Sequence, residues 1–88
     1  MNQSILFPDI QTWDEEQQVV TFPAQQAGAL IECFIRKAEL EKISGSVIEG
    51  EQQALDAFSR SRFELEELAE ELIEEEEFNT LGQIEVVS

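Results

Sequence analysis

Between Glu51 and Glu77 the apolar residues recur at intervals of three and four, which is the period of an α-helix. Ala54, Leu55, Phe58, Leu65, Ala69, Leu72 and Ile73 fall on one stripe, while Glu64, Glu67, Glu70, Glu71, Glu74 and Glu75 fall on the other faces. Such a rod cannot fold alone in water; its apolar side needs a second layer to cover it. The rest of the 88-residue chain has to supply that layer. A chain this short buries only roughly 60 to 65% of its unfolded surface and has room for one core, so the expectation is a single domain over residues 1–88.

The covering layer reads as strands. Ser4 to Asp9 is a short edge strand halted at Pro8. A polar stretch from Asp9 to Gln18 follows, broken only by Trp13. Gln18 to Phe22 has β-branched and aromatic strand character and is expected to end at Pro23, whose ring removes an amide donor. Ala29 to Arg36 alternates, with Ile31, Cys33 and Ile35 on one face and Leu30, Glu32, Phe34 and Arg36 on the other. Only the Pro23–Gly28 loop separates these last two strands, which predicts an antiparallel hairpin. From Lys37 to Ser44 the period becomes helical, with Ala38, Leu40 and Ile43 as apolar members and Gly45 as a left-handed stop. After the long helix, Asn79 to Gly82 permits a reversal and Gln83 to Val87 reads as a closing strand. The predicted architecture is α+β: a small, mainly antiparallel sheet in the order β-β-β-α-α-β, packed on one long amphipathic helix.

Length adds a further expectation. A globule of this size has a diameter of about 30 Å, whereas a continuous helix from Glu51 to Glu77 would extend about 40 Å. An overhanging helix end would leave Leu72, Ile73 and Phe78 uncovered, which makes homodimerisation one way to bury them.

Charge restricts the partners. Twenty acidic residues face five basic ones, a net charge of −15 with no histidine. Direct nucleic acid binding draws its affinity from lysines and arginines that displace counterions, so it is disfavoured, as is an anionic membrane surface. A basic protein partner would gain in encounter rate, although high charge also serves solubility alone. The lone Cys33 has no partner for an internal disulfide, the first residues lack a basic start and a long apolar run, and no segment is long enough to span a membrane. The expected setting is the cytoplasm.

Arg62 is the most informative single residue, because at the helical period it falls within the stripe of Leu55, Phe58, Leu65 and Ala69. A charged head near the core needs partners for its donors. Two readings follow: a structural ion pair or carbonyl clamp, or a site for an anion or carboxylate. Trp13 either caps the open edge of the core or anchors an interface. Phe34 and Phe63 point away from the main apolar face of their elements and would mark a partner surface if exposed. Cys33 fits the apolar alternation of its strand and has no histidine to raise its thiolate fraction, so it reads as structural.

The run Glu74-Glu75-Glu76-Glu77 points in four directions and cannot converge on one cation. It also opposes the helix dipole, and its last turn is expected to fray. No zinc spacing, no Ser-His-Asp set and no phosphate-binding glycine loop is present, and no small-molecule ligand is identifiable. No catalytic residue, metal ligand or cofactor is therefore named; paired-carboxylate catalysis stays open because glutamates are abundant, but nothing singles out one pair.

The chain resembles a family of short bacterial proteins, domain-of-unknown-function family 1488. The resemblance is carried by Phe7-Pro8-Asp9 with Trp13, Val20-Thr21-Phe22-Pro23-Ala24, Gly28, Ile31-Glu32-Cys33-Phe34-Ile35, Leu40, Gly45, and Phe58 with Arg62. It implies a compact α+β fold and a bacterial, intracellular setting, with no substrate, cofactor or mechanism attached. Arg36 departs from the family pattern, which has a serine opening the short helix, so the usual N-cap hydroxyl is missing here. The functional expectation is a non-enzymatic interaction or regulatory module, self-associating or docking on another protein through Trp13, Phe34, Phe63 or the long-helix end. Two alternatives stand beside it: a ligand-binding domain or enzyme using Arg62, and an acidic nucleic-acid mimic that occupies a basic protein.

Overall fold

Two eight-residue strands, β3 (Val19–Gln26) and β4 (Ala29–Arg36), form the centre of the sheet as an antiparallel hairpin. The computed structural model describes residues 5–88. The expected start of the first strand at Ser4, and the residues before it, lie outside this range. The hairpin closes through a two-residue turn, Ala27–Gly28, with φ of 52° and 82°. Both central residues thus sit in the left-handed region that matches the twist of paired strands, and glycine takes the second of them without steric cost.

β1 (Ile5–Leu6) and β2 (Thr12–Asp14) both pair antiparallel with the same edge of β3, at Gln25–Gln26 and at Val19–Thr21 respectively. On the far side β5 (Ile84–Glu85) runs parallel to β4, with Cys33 opposite Ile84 and Phe34 opposite Glu85. A parallel neighbour requires a crossover, and three helices make it: α1 (Lys37–Ser44), α2 (Glu51–Arg60) and α3 (Arg62–Glu74). The fold is the expected α+β, with one strand and one helix more than the sequence pattern predicts.

Pro23 does not end its strand, contrary to expectation, and the register explains why. In an antiparallel ladder successive residues direct their N–H and C=O groups to opposite neighbours. The Lys37 amide donates to the Gln18 carbonyl across the β3–β4 pair at 3.0 Å, which fixes the even-numbered residues of β3 as facing β4. Pro23 therefore faces the other edge. There it lies in the gap between the stretch of β3 paired with β2, which stops at Thr21, and the stretch paired with β1, which begins at Gln25, so neither strand asks for the donor it lacks.

The core lies between one face of this sheet and the helices. Val20, Phe22, Ala24, Cys33 and Ile35 project from the hairpin, and Ile84 and Val86 from the β5 segment. Against them stand Leu40 of α1, Ala54, Ala57 and Phe58 of α2, and Leu65, Ala69 and Ile73 of α3, all buried. Phe58 packs on Phe22 with ring centroids 5.0 Å apart. Ile48, on the loop between α1 and α2, is also buried, and its amide is held by the Glu41 carboxylate at 2.9 Å. In α1 the start lacks a side-chain cap at Arg36, and Gly45 closes the end at φ 73°. Leu40 is buried as expected, Ile43 is half-buried, and Ala38 faces solvent.

The expected single rod from Glu51 to Glu77 is corrected in two ways. It breaks at Ser61, where φ −105° and ψ 11° leave the helical region and the Ser61 amide is shared between the Ala57 and Phe58 carbonyls. It also stops at Glu74. The apolar stripe survives the break, because Phe58 and Leu65 keep their seven-residue spacing and are both buried. At the helix end Ile73 is buried and Leu72 half-buried, while Phe78 is exposed, so of the three residues expected to be uncovered only Phe78 is largely so.

The glutamate run closes in a hydrogen-bonded turn. The Glu77 amide donates to the Leu72 carbonyl and the Glu76 amide to the Ile73 carbonyl, each at 3.0 Å, with Glu76 at φ 59°. This is a Schellman closure with glutamate where glycine is preferred. Glu76→Gly would relieve left-handed strain of about 1–2 kcal/mol and remove a repulsive charge worth about 0.3–1 kcal/mol, against about 0.5–1 kcal/mol of added chain entropy. The expected outcome is a gain of about 1 kcal/mol in urea unfolding at unchanged m-value. A loss would show that the closure is not formed.

Candidate functional site

Arg62 opens α3 and reaches back over 50 residues in sequence to the connection between β1 and β2. Its Nε donates to Glu66 Oε2 at 2.5 Å. One terminal nitrogen donates to Asp9 Oδ1 at 2.7 Å and to Gln11 Oε1 at 3.2 Å, and the other to the carbonyls of Phe7 at 3.3 Å and Pro8 at 3.1 Å. A guanidinium has five N–H donors, and these five bonds use all of them. Partial burial works against the charge, but the hydrogen bonds and negative charges of Glu66 and Asp9 outweigh it and hold the pKa above its ordinary value. The side chain acts as a clamp between helix and strand connection, and it has no donor left for an external anion.

Cys33 is buried in β4, with only a long 3.8 Å contact from Sγ to the Ile31 carbonyl. Burial, followed by the negative charge of Glu32, pushes its thiol up to about 12, so the thiolate needed for nucleophilic chemistry does not form near neutrality. Among the described residues no three metal-ligating side chains converge. No helix among them is long and apolar enough to cross a membrane.

The aromatic candidates separate. Trp13 of β2 is buried in the core, with its indole N–H donating to Glu15 Oε1 at 2.8 Å. It caps the sheet and offers nothing to an interface. Ile73 is likewise withdrawn by burial, and Leu72 is half-buried. Phe63 is 78% exposed and Phe78 42%, but they stand on a helix and a loop rich in glutamate.

Phe34 stands elsewhere, on the face of the sheet that the helices leave bare. There it is half-buried under the guanidinium of Arg36, which lies 5.6 Å from its ring centroid and pairs through Nε with Glu85 at 2.6 Å. Such stacking is a cation–π contact.

That bare face carries two of the exposed large apolar side chains, Leu30 and Ile10. Side chains of odd-numbered residues on β3 and even-numbered residues on β4 reach it, among them Thr21, Pro23, Leu30, Glu32 and Phe34. Leu30 is 70% exposed, and Ile10, from the connection before β2, is 58% exposed beside it. The two border a depression of about 430 Å³ that also includes Thr12, Pro23 and Glu32. Its position follows from the gap opposite Pro23, where no strand covers the β3 edge. The contrast in charge is sharp: eleven of the twenty acidic residues lie between Glu51 and Glu77, on the helical side.

Leu30 and Ile10 were not singled out by sequence reasoning. The alternation of β4 carried the signal for Leu30, since it places that residue opposite the Ile31–Cys33–Ile35 face. Nothing local carried it for Ile10.

Comparison with known proteins gives one consistent result. The family described as "Protein of unknown function (DUF1488)" matches residues 5–86. The chain is similar to a protein of Escherichia coli strain K12 named uncharacterized protein YrdB, at 39% identity over 85 residues covering 96% of each chain. It is similar to the Shigella flexneri protein of the same name at 38% identity, again over 96% of each. Among solved structures it is similar to a crystal structure of a protein of unknown function from this family from Shewanella loihica PV-4. That likeness has a TM-score of 0.93 and 44% identity, and covers 98% of this chain and 94% of the other.

Proposed function

Since the chain belongs to the bacterial DUF1488 family, described by its unknown function, its role has to be read from its own surfaces, and we propose that it is a non-enzymatic protein-interaction module of the bacterial cytoplasm. One observation carries the reading: the helices cover the sheet on one side only, and the other side exposes Leu30, with Ile10 beside it, next to Glu32, Arg36 and Glu85 and away from the glutamate-rich helices. Contiguous exposed apolar surface rimmed by polar groups is the usual mark of a protein contact. The depression between Ile10 and Leu30 is shallow and open, suited to a side chain of a partner more than to an enclosed small molecule. A ligand-binding or enzymatic role through Arg62 lacks the free donors it would need, and mimicry of nucleic acid rests on charge alone.

The test is affinity capture from an extract of the native cell on immobilised protein, washed at high salt so that contacts between exposed charges are screened. Wild-type protein is expected to retain defined bands. The double substitution Leu30→Asp and Phe34→Ser is expected to lose them, and Phe63→Ser to keep them, with circular dichroism verifying the fold of each. Retention of the same bands by the sheet-face variant overturns the reading.

A further inference from the structure

We infer that the bare sheet face binds a second copy of this chain, about a two-fold axis that runs between the two sheets and across their strands at the level of Phe34. The inference rests on the interaction-module reading and names the partner for that surface. Along β4 the side chains reaching this face run Leu30, Glu32, Phe34, Arg36. Glu32 and Arg36 therefore lie at equal distances on either side of Phe34, about 7 Å each way at the rise of a strand.

A two-fold axis placed there reverses the strand direction of the second copy. It sets Glu32 of each copy over Arg36 of the other, twice, and brings the two Phe34 rings, each beneath its own Arg36 guanidinium, to the axis. A self-complementary patch of this kind is what an isologous dimer requires. At the same two levels on β3, half-buried Pro23 stands over Val19, which its own chain already buries and which adds no contact surface.

The chemistry of Arg36 fits this arrangement. Its side chain is 60% exposed, and Nε alone is engaged by Glu85. Among the described residues its terminal nitrogens make no hydrogen bond, so the outer edge of the guanidinium remains available for a carboxylate across the interface. Glu85, which lies on the axis level opposite Phe34, would meet its own copy, but Arg36 already neutralises it at 2.6 Å. Sheets stacked face to face stand about 10 Å apart, a separation that an arginine and a glutamate side chain span together.

Charge favours this face over any other for self-association. Two copies each carrying −15 repel, and the helical side would set its glutamates against each other. Four strands at their usual spacing, about 25 Å long, present only roughly 500 Å² in projection. That is less than the roughly 800 Å² per partner of a standard interface, so the dimer belongs among weak associations.

The experiment is sedimentation equilibrium of the full chain up to about 0.5 mM, where a Kd of tens of micromolar gives mostly dimer. Wild-type protein is expected to dimerise. Glu32→Arg alone, which sets two arginines against two, and Arg36→Glu alone, which sets two carboxylates against two, are each expected to weaken dimerisation at least tenfold. An equimolar mixture of the two variants is expected to recover it as a one-to-one heterodimer, because opposite charges then meet at both positions. Three results overturn the inference: a monomeric wild type over this range, a dimer indifferent to either substitution, or a mixture that stays monomeric. If the wild type is monomeric while the Leu30→Asp, Phe34→Ser variant still loses proteins captured from the extract, this inference fails and the interaction-module reading stands.

Discussion

Phe58→Ala is expected to cost about 3–5 kcal/mol, which for a domain of this size lowers the melting temperature by more than about 12 °C. Phe58 is the largest fully buried side chain, 1% exposed, and its ring packs on Phe22, which in turn lies 6.2 Å from Phe7. Removing it opens a void between α2 and the hairpin. The backbone on both sides is held by the β3–β4 ladder and by the helix, so the cavity cannot close by relaxation. Total stability for a chain of this length is roughly 4–13 kcal/mol, so the loss takes about a quarter or more of it, and at the low end of that range all of it. Thermal unfolding followed by circular dichroism measures this directly. A loss below about 1 kcal/mol would mean that Phe58 does not sit at the centre of the core.

Arg62→Met keeps the aliphatic stem in place and removes the guanidinium, so it isolates the clamp. The Glu66 carboxylate, whose side chain is 25% exposed, and the carbonyls of Phe7 and Pro8 would lose their donors. We expect a loss of about 2–3 kcal/mol, most of it from the charged bond to Glu66 and the two carbonyls. Asp9, at 86% exposure, contributes little, and Asp9→Asn should cost less than about 0.5 kcal/mol. The effect should also be local. Amide hydrogen exchange is expected to rise first over Ile5 to Asp14, the segment the clamp holds against α3, before the β3–β4 ladder loosens. Unchanged stability with unchanged exchange in that segment would show that the five bonds are dispensable.

How much of this was legible beforehand depends on the range of the interaction that decides each element. The boundaries of β4 and α1 could be read from local pattern alone, because alternation, the change of period at Lys37 and the stop at Gly45 are all encoded within a few residues. β2 was missed since a three-residue strand with one apolar member, Trp13, has no period to detect. Pro23 was read as a terminator because proline lacks a donor. Only the positions of β1 and β2 reveal that no donor is wanted there.

The break at Ser61 was hidden by the very stripe that identified the helix, as Phe58 and Leu65 hold the same spacing across it. For the site, the placement of Arg62 beside the core followed from periodicity, but its acceptors lie more than fifty positions away, apart from Glu66 one turn on. The bare face was half visible: β4 alternation separated Phe34 from the core side, yet nothing in the sequence showed which side the helices would cover.

The gap at Pro23 has a consequence for the life of the molecule in a crowded cell. Exposed sheet margins invite strands from neighbouring molecules to zip on and extend the sheet, the first step toward fibrils. Here one margin is divided into a two-residue and a three-residue piece with a proline between them, and the other is a two-residue strand. An incoming strand finds no unbroken row of hydrogen-bonding groups on either side. The sheet can therefore present Leu30 and Ile10 at its surface without offering a template for runaway assembly.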